Sequence, residues 1–398
     1  MLEIKEDKLN RWLDSVERRH EARIRNVIEV TDQEVMEQLG KEETENPDEE
    51  ALYKYFCQKT PQVFYTLTGF TREEFDRLWA HVSEPFTCPS RGRKGKIAGR
   101  DILLILLHYI RRYPRIEEMV SIFSFKPSTL QGVITKYIPL MAEALRDAFI
   151  TPIENADVPY DQKFPECGYV VDATVQEICK PNLDYNIAKQ YYSGKHGIYC
   201  LKSQVVVNVK GLALHIVTGV NGAMHDKALF DKTKDELIAI MKKHPNQPHK
   251  ILADKGYQDS SSDILVTPHK GNTADLTREQ LMFNQKLGEV RIIVENFFGR
   301  LKARYEIMSD TFRGAHETYS AIFVICCALV NFEQIENDHP LRENDGKFYY
   351  KLKALVNQKR EEKEARKKEK RKQQAKLRKR IFSLVGEEIS SSDESESS

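Results

Sequence analysis

The sequence predicts an α/β domain preceded by an all-α region, and three observations support that prediction. Between positions 51 and 150, apolar residues recur at helical spacing. From about position 167, short alternating apolar runs typical of strands are interleaved with helical segments. Three carboxylates, Asp172, Asp254 and Glu295, stand in apolar surroundings, where burying a lone charge costs several kcal/mol. We expect the three to converge on a cation, which would offset that cost.

Charges balance over the whole chain but are segregated along it. The 398 residues include 61 Lys and Arg against 60 Asp and Glu, which gives a net charge of +1. Positions 1–50 end in an acidic stretch, and 359–380 hold thirteen basic residues and four Glu. We expect 1–50 to be a charged, partly disordered segment, and 345–398 to be a basic, then acidic and Ser-rich tail, disordered or helical. The overall balance does not exclude nucleic-acid binding, which depends on local basic surface.

Cysteine usage and hydropathy predict a soluble intracellular protein. The seven cysteines show no CxxC pairing and no nearby His at zinc-ligand spacing, a pattern typical of reduced thiols. No apolar stretch reaches the roughly 18 residues that a membrane-spanning helix needs. The longest, 322–332, has the pattern of a buried helix, so we expect no membrane association.

The region 51–150 is predicted to be helical. Thr71 with Glu74 three residues later forms a capping box, which predicts a helix start. A densely apolar run at 101–113 is followed by an amphipathic segment and a Pro-initiated one. This spacing is typical of a helix-turn-helix, with Ile116–Phe123 as the supporting helix and Ser128–Tyr137 as the recognition helix. An ordinary three-helix bundle used only for packing fits the same spacing.

A basic, Gly-rich connector precedes these helices. We expect its side chains to contact nucleic acid beside the recognition helix; they are Arg91, Arg93, Lys94 and Lys96.

Strands and helices then alternate over 160–335. The predicted strands and hairpin are 169–174, 203–209 paired with 212–220 around Lys210-Gly211, and 251–254. The predicted helices are 226–244 and a long one that starts at the Thr277–Gln280 capping box and reaches about Tyr305. Acids close the first and fourth strands and lie in the late helix, which is the ribonuclease H-like layout: a mixed sheet flanked by helices.

Several short segments carry a resemblance to a known family. They are VVDAT (170–174), NGAMHD (221–226), LADKGY (252–257), TPHK (267–270) and RIIVENFFGRLKARY (291–305). With these segments the chain resembles DDE-superfamily endonucleases, close to transposases of the PIF/Harbinger type, over about 65–335. The resemblance implies cleavage of DNA phosphodiesters that depends on Mg²⁺ or Mn²⁺.

The three acids also suit this chemistry by ligand type, since hard divalent ions prefer carboxylate oxygens. They lie 82 and 41 residues apart. In such a site Asp172 would bridge two ions, Asp254 would bind one of them and Glu295 the other. The resemblance also implies that His225 and Asp226 border the site.

Structural roles compete with these interpretations. A cap or a salt bridge would explain Asp172 or Asp254, and an N-cap would explain Asp226. Arg291 precedes Glu295 by one turn and could form an i,i+4 ion pair with it. Lys302 and Arg304, two turns beyond Glu295, would either meet phosphates or only complement the helix dipole; we list both as nucleic-acid-binding candidates.

The sequence therefore predicts a metal-dependent DNA endonuclease or transposase. The alternative is a domesticated, catalytically silent DNA- or chromatin-binding protein that keeps the fold. The helix-turn-helix predicts duplex DNA as the partner, and the family resemblance adds a Myb-like partner protein and a homo-oligomer. The basic run at 359–380 predicts nuclear localisation.

Overall fold

The computed structural model describes residues 50–87, 97–150, 161–242, 249–258, 264–272, 274–341 and 345. Three predicted features lie outside these residues: the N-terminal charged segment, the basic side chains of Arg91, Arg93, Lys94 and Lys96, and the basic run at 359–380. The chain divides into two compact units, Met1–Gly346 and Lys347–Ser398, and all described residues belong to the first.

Helices alone form the described part of the chain before position 150. They are α1 Ala51–Gln58, α2 Pro61–Thr68, α3 Arg72–Thr87, α4 Gly99–Arg112, α5 Ile116–Phe123 and α6 Pro127–Phe149. The predicted capping box before α3 is confirmed, because Thr71 and Glu74 exchange hydrogen bonds between side chain and backbone at 2.7 and 3.2 Å. Helix α4 is buried along most of its length, as its apolar composition predicts.

Helices α5 and α6 are joined by a short turn, as the helix-turn-helix spacing predicts. Ser124 ends α5 in the left-handed conformation, with φ 56°, and α6 begins three residues later at Pro127. The predicted recognition helix is only the first half of α6, which has 23 residues. It continues to Phe149 because buried apolar residues recur at helical spacing through its second half, which packs on the last helix of the fold.

A mixed sheet forms the second half of the described chain. Its strands are β1 Cys167–Glu177, β2 Tyr192–Ser193, β3 Ile198–Asn208, β4 Ala213–Asn221, β5 Lys250–Leu252 and β6 Leu265–Val266. The order is β2-β3-β1-β5-β6, with β4 also paired to β3. Strands β2, β3, β4 and β1 pair antiparallel, whereas β5 is parallel to both β1 and β6. The predicted β3–β4 hairpin is confirmed, and Gly211 supplies its positive φ of 86°.

Helices cover both faces of this sheet. They are α7 Tyr185–Gln190, α8 Asp226–Asp231, α9 Lys234–Lys242, α10 Arg278–Arg304 and α11 His316–Ile335. The single helix predicted over 226–244 is therefore two, α8 and α9. The Thr277–Gln280 capping box that was predicted to start α10 is present.

Strand alternation divides the buried residues between two cores. On one face, Val170 and Val205 pack with Val294 of α10, in a large core that continues into the N-terminal helices. On the other face, Val171 packs with Phe230 of α8 in a smaller core. This mixed sheet between helices, preceded by a helical region, confirms the predicted α/β ribonuclease H-like class.

Polar groups tie the helical region to the sheet domain within the large core. Arg304, near the end of α10, forms an ion pair with buried Glu333 of α11 at 2.6 Å and donates to the Tyr65 hydroxyl of α2 at 2.6 Å. Asn331 of α11 donates to the carbonyls of Phe149 and Ala213, both at 2.8 Å. These contacts join the two regions on one core.

Lys302 and Arg304, the two basic residues near the end of α10, both have partners inside the fold. Lys302 is buried, and its ammonium lies 3.4 Å from the Val175 carbonyl oxygen. The Arg304 guanidinium donates to the buried Glu333 carboxylate. These contacts favour a structural role for both side chains, and their contact with nucleic acid stays a prediction. Arg304 is held by Glu333 of α11, and Lys302 lies against β1.

Helix α11 is long and apolar enough to cross a membrane by composition alone. Its mean hydropathy is 1.5 over an 18-residue window, and it is the one such helix among the described residues. However, 72% of that window is buried inside the fold, which is the pattern of a core helix.

The Arg304–Glu333 pair provides a test of the shared core. We expect Glu333→Ala to lower the free energy of unfolding by about 3–5 kcal/mol, because it leaves a largely buried guanidinium without its counter-charge. Urea denaturation measures this change. The matched control is Glu289→Ala, which removes an exposed, solvent-screened ion pair with Lys163 and should lower stability far less. Equal losses in the two variants would contradict a central role for Arg304.

Candidate active site

The pairing of β1 with β5 brings two of the predicted acids together. The two strands run parallel, with Val170 opposite Leu252. Continuing that register by two residues places Asp172 beside Asp254. Strand β5 ends at Leu252, whereas β1 continues to Glu177, so Asp172 lies within its strand and not at its end as predicted. Strand β5 is the strand that ends at the site. It stops at Leu252, so it does not pair with β1 beside Asp172.

Arg291 of α10 lies between these two aspartates. Its guanidinium donates to Asp172 Oδ2 at 2.9 Å and approaches Asp254 Oδ1 at 3.8 Å. The Arg291 side chain is only 12% exposed, and its buried Nε has no hydrogen-bond partner among the described residues. A charge this buried needs counter-charges, and here the two carboxylates supply them.

Each aspartate also accepts one backbone hydrogen bond. Asp172 Oδ1 accepts from the Ala173 N–H at 2.8 Å, and Asp254 Oδ1 accepts from the Lys255 N–H at 2.6 Å. Burial raises the pKa of Asp172 to about 6, against the lowering effect of Arg291. The nearby carboxylates Asp254 and Asp226 add to the rise. The fold thus concentrates negative charge around Asp172.

Glu295 follows Arg291 by one turn of α10 and is half-buried. Within the described residues it makes no hydrogen bond or ion pair, so the i,i+4 pair with Arg291 that competed with a catalytic role does not form. Arg291 instead pairs with Asp172 and lies close to Asp254. The structure brings Asp172 and Asp254 together around Arg291 and places Glu295 on the same helix, without a direct contact between the glutamate and either aspartate.

A further carboxylate near Asp172, that of Asp226, comes from helix α8. This carboxylate forms an ion pair with Lys202 of β3 at 2.8 Å, and the Lys202 ammonium also donates to the Met224 carbonyl. The N-cap that competed with a role for Asp226 beside the site does not form, because His225 holds that position and Asp226 is the first residue of α8. His225 is exposed and makes no side-chain cap bond.

Three polar residues of this neighbourhood were not predicted: Lys202, Gln204 and Tyr257. The buried Tyr257 hydroxyl lies 3.4 Å from Gln204 Oε1. Burial and the charges of Asp172 and Asp226 raise the pKa of Tyr257 well above its ordinary value. The sequence does mark Lys202 and Gln204, since three consecutive polar residues (Lys202, Ser203 and Gln204) interrupt the otherwise apolar strand LKSQVVV. Tyr257 lies in the LADKGY segment but had no role assigned.

The aspartates suit a divalent cation by donor type and by charge. Their oxygens are the ligands that Mg²⁺ and Mn²⁺ prefer, and added positive charge would offset the burial that raises the pKa of Asp172. Arg291 supplies positive charge at that place in this structure. No group of three His, Cys, Asp or Glu side chains in the described part of the chain is arranged to hold a metal ion. The predicted three-acid cluster therefore stays a prediction.

Comparison with known proteins relates the sheet domain to one family of nucleases. Residues 171–331, which include all three predicted acids, match the family model described as DDE superfamily endonuclease. The probable transposase for insertion sequence element IS702 of Microchaete diplosiphon is 24% identical over 282 residues, which is 69% of this chain and 96% of that protein. No solved structure matches the chain.

The sheet domain is thus similar in sequence to DDE superfamily endonucleases, and the chain is distantly related to an insertion-sequence transposase. The predicted superfamily resemblance is confirmed. The finer assignment to the PIF/Harbinger type stays a prediction.

The raised pKa of Asp172 gives a test of the site without any metal. Between pH about 4 and 6, the folded state holds a proton on Asp172 that the unfolded state releases, so this group makes stability fall as pH rises. Asp172→Asn removes the contribution. We expect the variant to gain on the order of 2–3 kcal/mol relative to wild type between pH 4 and pH 7, at 1.36 kcal/mol per pKa unit. Urea denaturation of chelator-treated protein measures the difference.

Asp101 provides the internal control for that experiment. Burial raises its pKa to about 6 as well, although it lies in the helical region and accepts from the Leu52 and Tyr53 N–H groups. The wild-type slope therefore contains both carboxyls, and only the difference between wild type and Asp172→Asn isolates the site. Parallel stability curves for the two proteins would show that Asp172 ionises normally.

Proposed function

We propose that this protein is a divalent-metal-dependent DNA endonuclease of the DDE superfamily that acts as a transposase. The observation that carries the proposal is the pair Asp172 and Asp254, brought side by side by the β1–β5 register in a segment that matches the superfamily. The relative from Microchaete diplosiphon supports transposition as the biological reaction, since its printed name describes a probable transposase.

Asp172 and Asp254 would hold Mg²⁺ or Mn²⁺, with Glu295 as the third ligand. A bound pair of such ions supplies a lowered pKa for the attacking water or 3′-hydroxyl and stabilisation of the leaving oxygen. Hydrogen bonds and an ion pair within the chain orient these carboxylates. The Ala173 and Lys255 N–H groups orient the two carboxylates, and Lys202 holds Asp226 beside them. Arg291, the present counter-charge of these aspartates, would contact a substrate phosphate if a metal ion were held there.

The first half of α6 would be the surface that contacts duplex DNA. Its exposed side chains include Ser128, Gln131, Thr135 and Lys136, which are suited to phosphates and base edges. Gly132 lies exposed among them, and a Cβ added there would meet nothing within 4 Å. Packing inside the chain does not require this glycine, which costs about 1 kcal/mol relative to Ala in a helix. Close approach of a DNA backbone is a physical reason for it.

A second candidate function is a DNA-binding protein that has kept the fold without cutting. The position of Arg291 favours it, because an arginine between Asp172 and Asp254 already satisfies the charges that a metal would satisfy. In either case the tail at 359–380 would direct the protein to the nucleus, and a Myb-like partner or a second copy would complete DNA recognition.

Nicking of supercoiled plasmid in Mg²⁺ or Mn²⁺ separates the two functions. If the protein is an endonuclease, Asp172→Asn, Asp254→Asn and Glu295→Gln should each lower the nicking rate by roughly 10²-fold or more, because each weakens metal binding. Glu289→Gln, an exposed acid on the same helix α10, should not. Wild-type protein that binds DNA but never nicks it supports the silent alternative. Full activity in Glu295→Gln would remove that residue from the site.

Filling the space above Gly132 tests the α6 surface. We expect Gly132→Leu to weaken binding to duplex DNA by about tenfold or more, a cost of about 1.4 kcal/mol, through steric exclusion. The thermal stability of Gly132→Leu should equal that of the wild type. The matched control is Gly288→Leu, because Gly288 is also exposed within a helix and has nothing within 4 Å of its Cβ position. Lys136→Gln should reduce the log–log salt slope by about one. Unchanged binding in Gly132→Leu would move the DNA contacts away from α6.

A further inference from the structure

The connection between β1 and β3, residues 178–197, exposes an unusual amount of apolar surface. Of the six large apolar side chains that are exposed in the described part of the chain, four lie in this connection. They are Leu183, Tyr185, Ile187 and Tyr192, with exposed fractions of 52%, 75%, 43% and 41%. Single exposed apolar residues need no explanation, but a local concentration of them indicates a binding surface.

The same connection is positively charged. Lys180, Lys189 and Lys195 are all exposed, and Asp184 is the only acid between them in the sequence. None of the three lysines forms an ion pair with another described residue. The surface therefore combines aromatic rings with cations, and their charge is not neutralised by neighbouring carboxylates in the described chain.

The connection is held firmly to the sheet. Tyr191 accepts a hydrogen bond from the Cys200 N–H of β3 at 2.8 Å, and Gln190 accepts from the Ala223 N–H at 2.9 Å. Tyr192 lies against Tyr199 of β3, with ring centroids 5.3 Å apart. Its exposed rings are thus presented on an ordered support, which lowers the entropy cost of binding.

The attachment points also relate the connection to the candidate active site. Gln190 bonds to Asn221 and Ala223, and the same loop continues to Asp226, the partner of Lys202. Strand β1 runs five residues from Asp172 to Glu177 before the connection begins, which is about 17 Å at 3.3 Å per residue. Five nucleotides of duplex DNA, at 3.4 Å each, cover about the same distance.

We propose that the β1–β3 connection binds unpaired bases of the DNA strand, about five nucleotides from the phosphodiester that is cut. Tyr185 and Tyr192 stack on the bases, and Lys180, Lys189 and Lys195 contact the phosphates. The inference rests on the proposed function, because it takes Asp172 to mark the cleavage point.

The combination of rings and lysines favours nucleic acid over a protein partner. Sequence-tolerant binding of single strands uses aromatic stacking platforms together with a basic surface that follows the backbone. Duplex DNA offers no free base faces to exposed rings. An unpaired segment does, and it would favour a distorted substrate over an intact one.

Binding of full-length protein to three DNA probes tests the proposal. The probes are an intact duplex, a single strand, and a duplex with a six-nucleotide unpaired segment that carries 2-aminopurine. We expect Tyr185→Ala with Tyr192→Ala to weaken binding to the two unpaired probes about tenfold to a hundredfold, and binding to the duplex far less. Stacking on the two tyrosines should quench 2-aminopurine fluorescence with wild-type protein, and this quenching should be absent with the Tyr185→Ala, Tyr192→Ala variant. Tyr185→Phe with Tyr192→Phe keeps both rings and should behave as wild type.

Two controls make the outcome specific. Met282→Ala with Ile335→Ala removes the other two exposed apolar side chains and should leave all three affinities unchanged. Replacing Lys180, Lys189 and Lys195 by Gln should lower the salt slope for single strands by about two, at 0.7 per phosphate contact. Equal losses on all probes, no loss on any, or a change of oligomeric state in the tyrosine variant would overturn the proposal.

The same variants distinguish this inference from the proposed function. Wild-type nicking that requires Asp172 and Asp254, together with tyrosine variants that bind the unpaired probes normally, would reject the inference alone. Selective loss of unpaired-DNA binding in a protein that never nicks would reject the endonuclease function and keep the surface.

Discussion

The parallel ladder between β1 and β5 is the constraint on which the candidate active site depends. Strand β5 contributes three residues and then stops, whereas β1 continues beside an open edge. Because the register is fixed by Val170 opposite Leu252, two aspartates that are 82 residues apart in sequence become neighbours. A slip of one residue would turn one of them to the opposite face of the sheet.

Arg291 follows from that arrangement. Asp172 and Asp254 lie close enough for their carboxylates to repel each other, and burial already raises the pKa of Asp172 to about 6. A cation between them removes the repulsion, and α10 supplies one from the turn before Glu295. The same helix therefore carries both a counter-charge and the third predicted acid.

The large core extends these local contacts to the rest of the described chain. Buried residues of α1 to α6 and of the sheet domain belong to one apolar cluster. Inside it Arg304 pairs with Glu333, and Asn331 satisfies backbone groups of Phe149 and Ala213. The exposed half of α6 and the β1–β3 connection are thus both attached to the body that holds Asp172. This continuity explains why basic residues such as Lys302 serve the core and not the surface.

The sequence by itself determined the fold class, both capping boxes, the β3–β4 hairpin and the apolar settings of the acids, since these depend on short-range periodicity and local hydrogen bonds. Tertiary structure alone decided which charges meet. Arg291 pairs with Asp172 and not with Glu295, Asp226 pairs with Lys202, and Arg304 is drawn inward by Glu333. Each of these choices depends on partners at least 24 residues away in the chain. Local sequence patterns carry no information on such distant pairs, because strand register and helix packing set them.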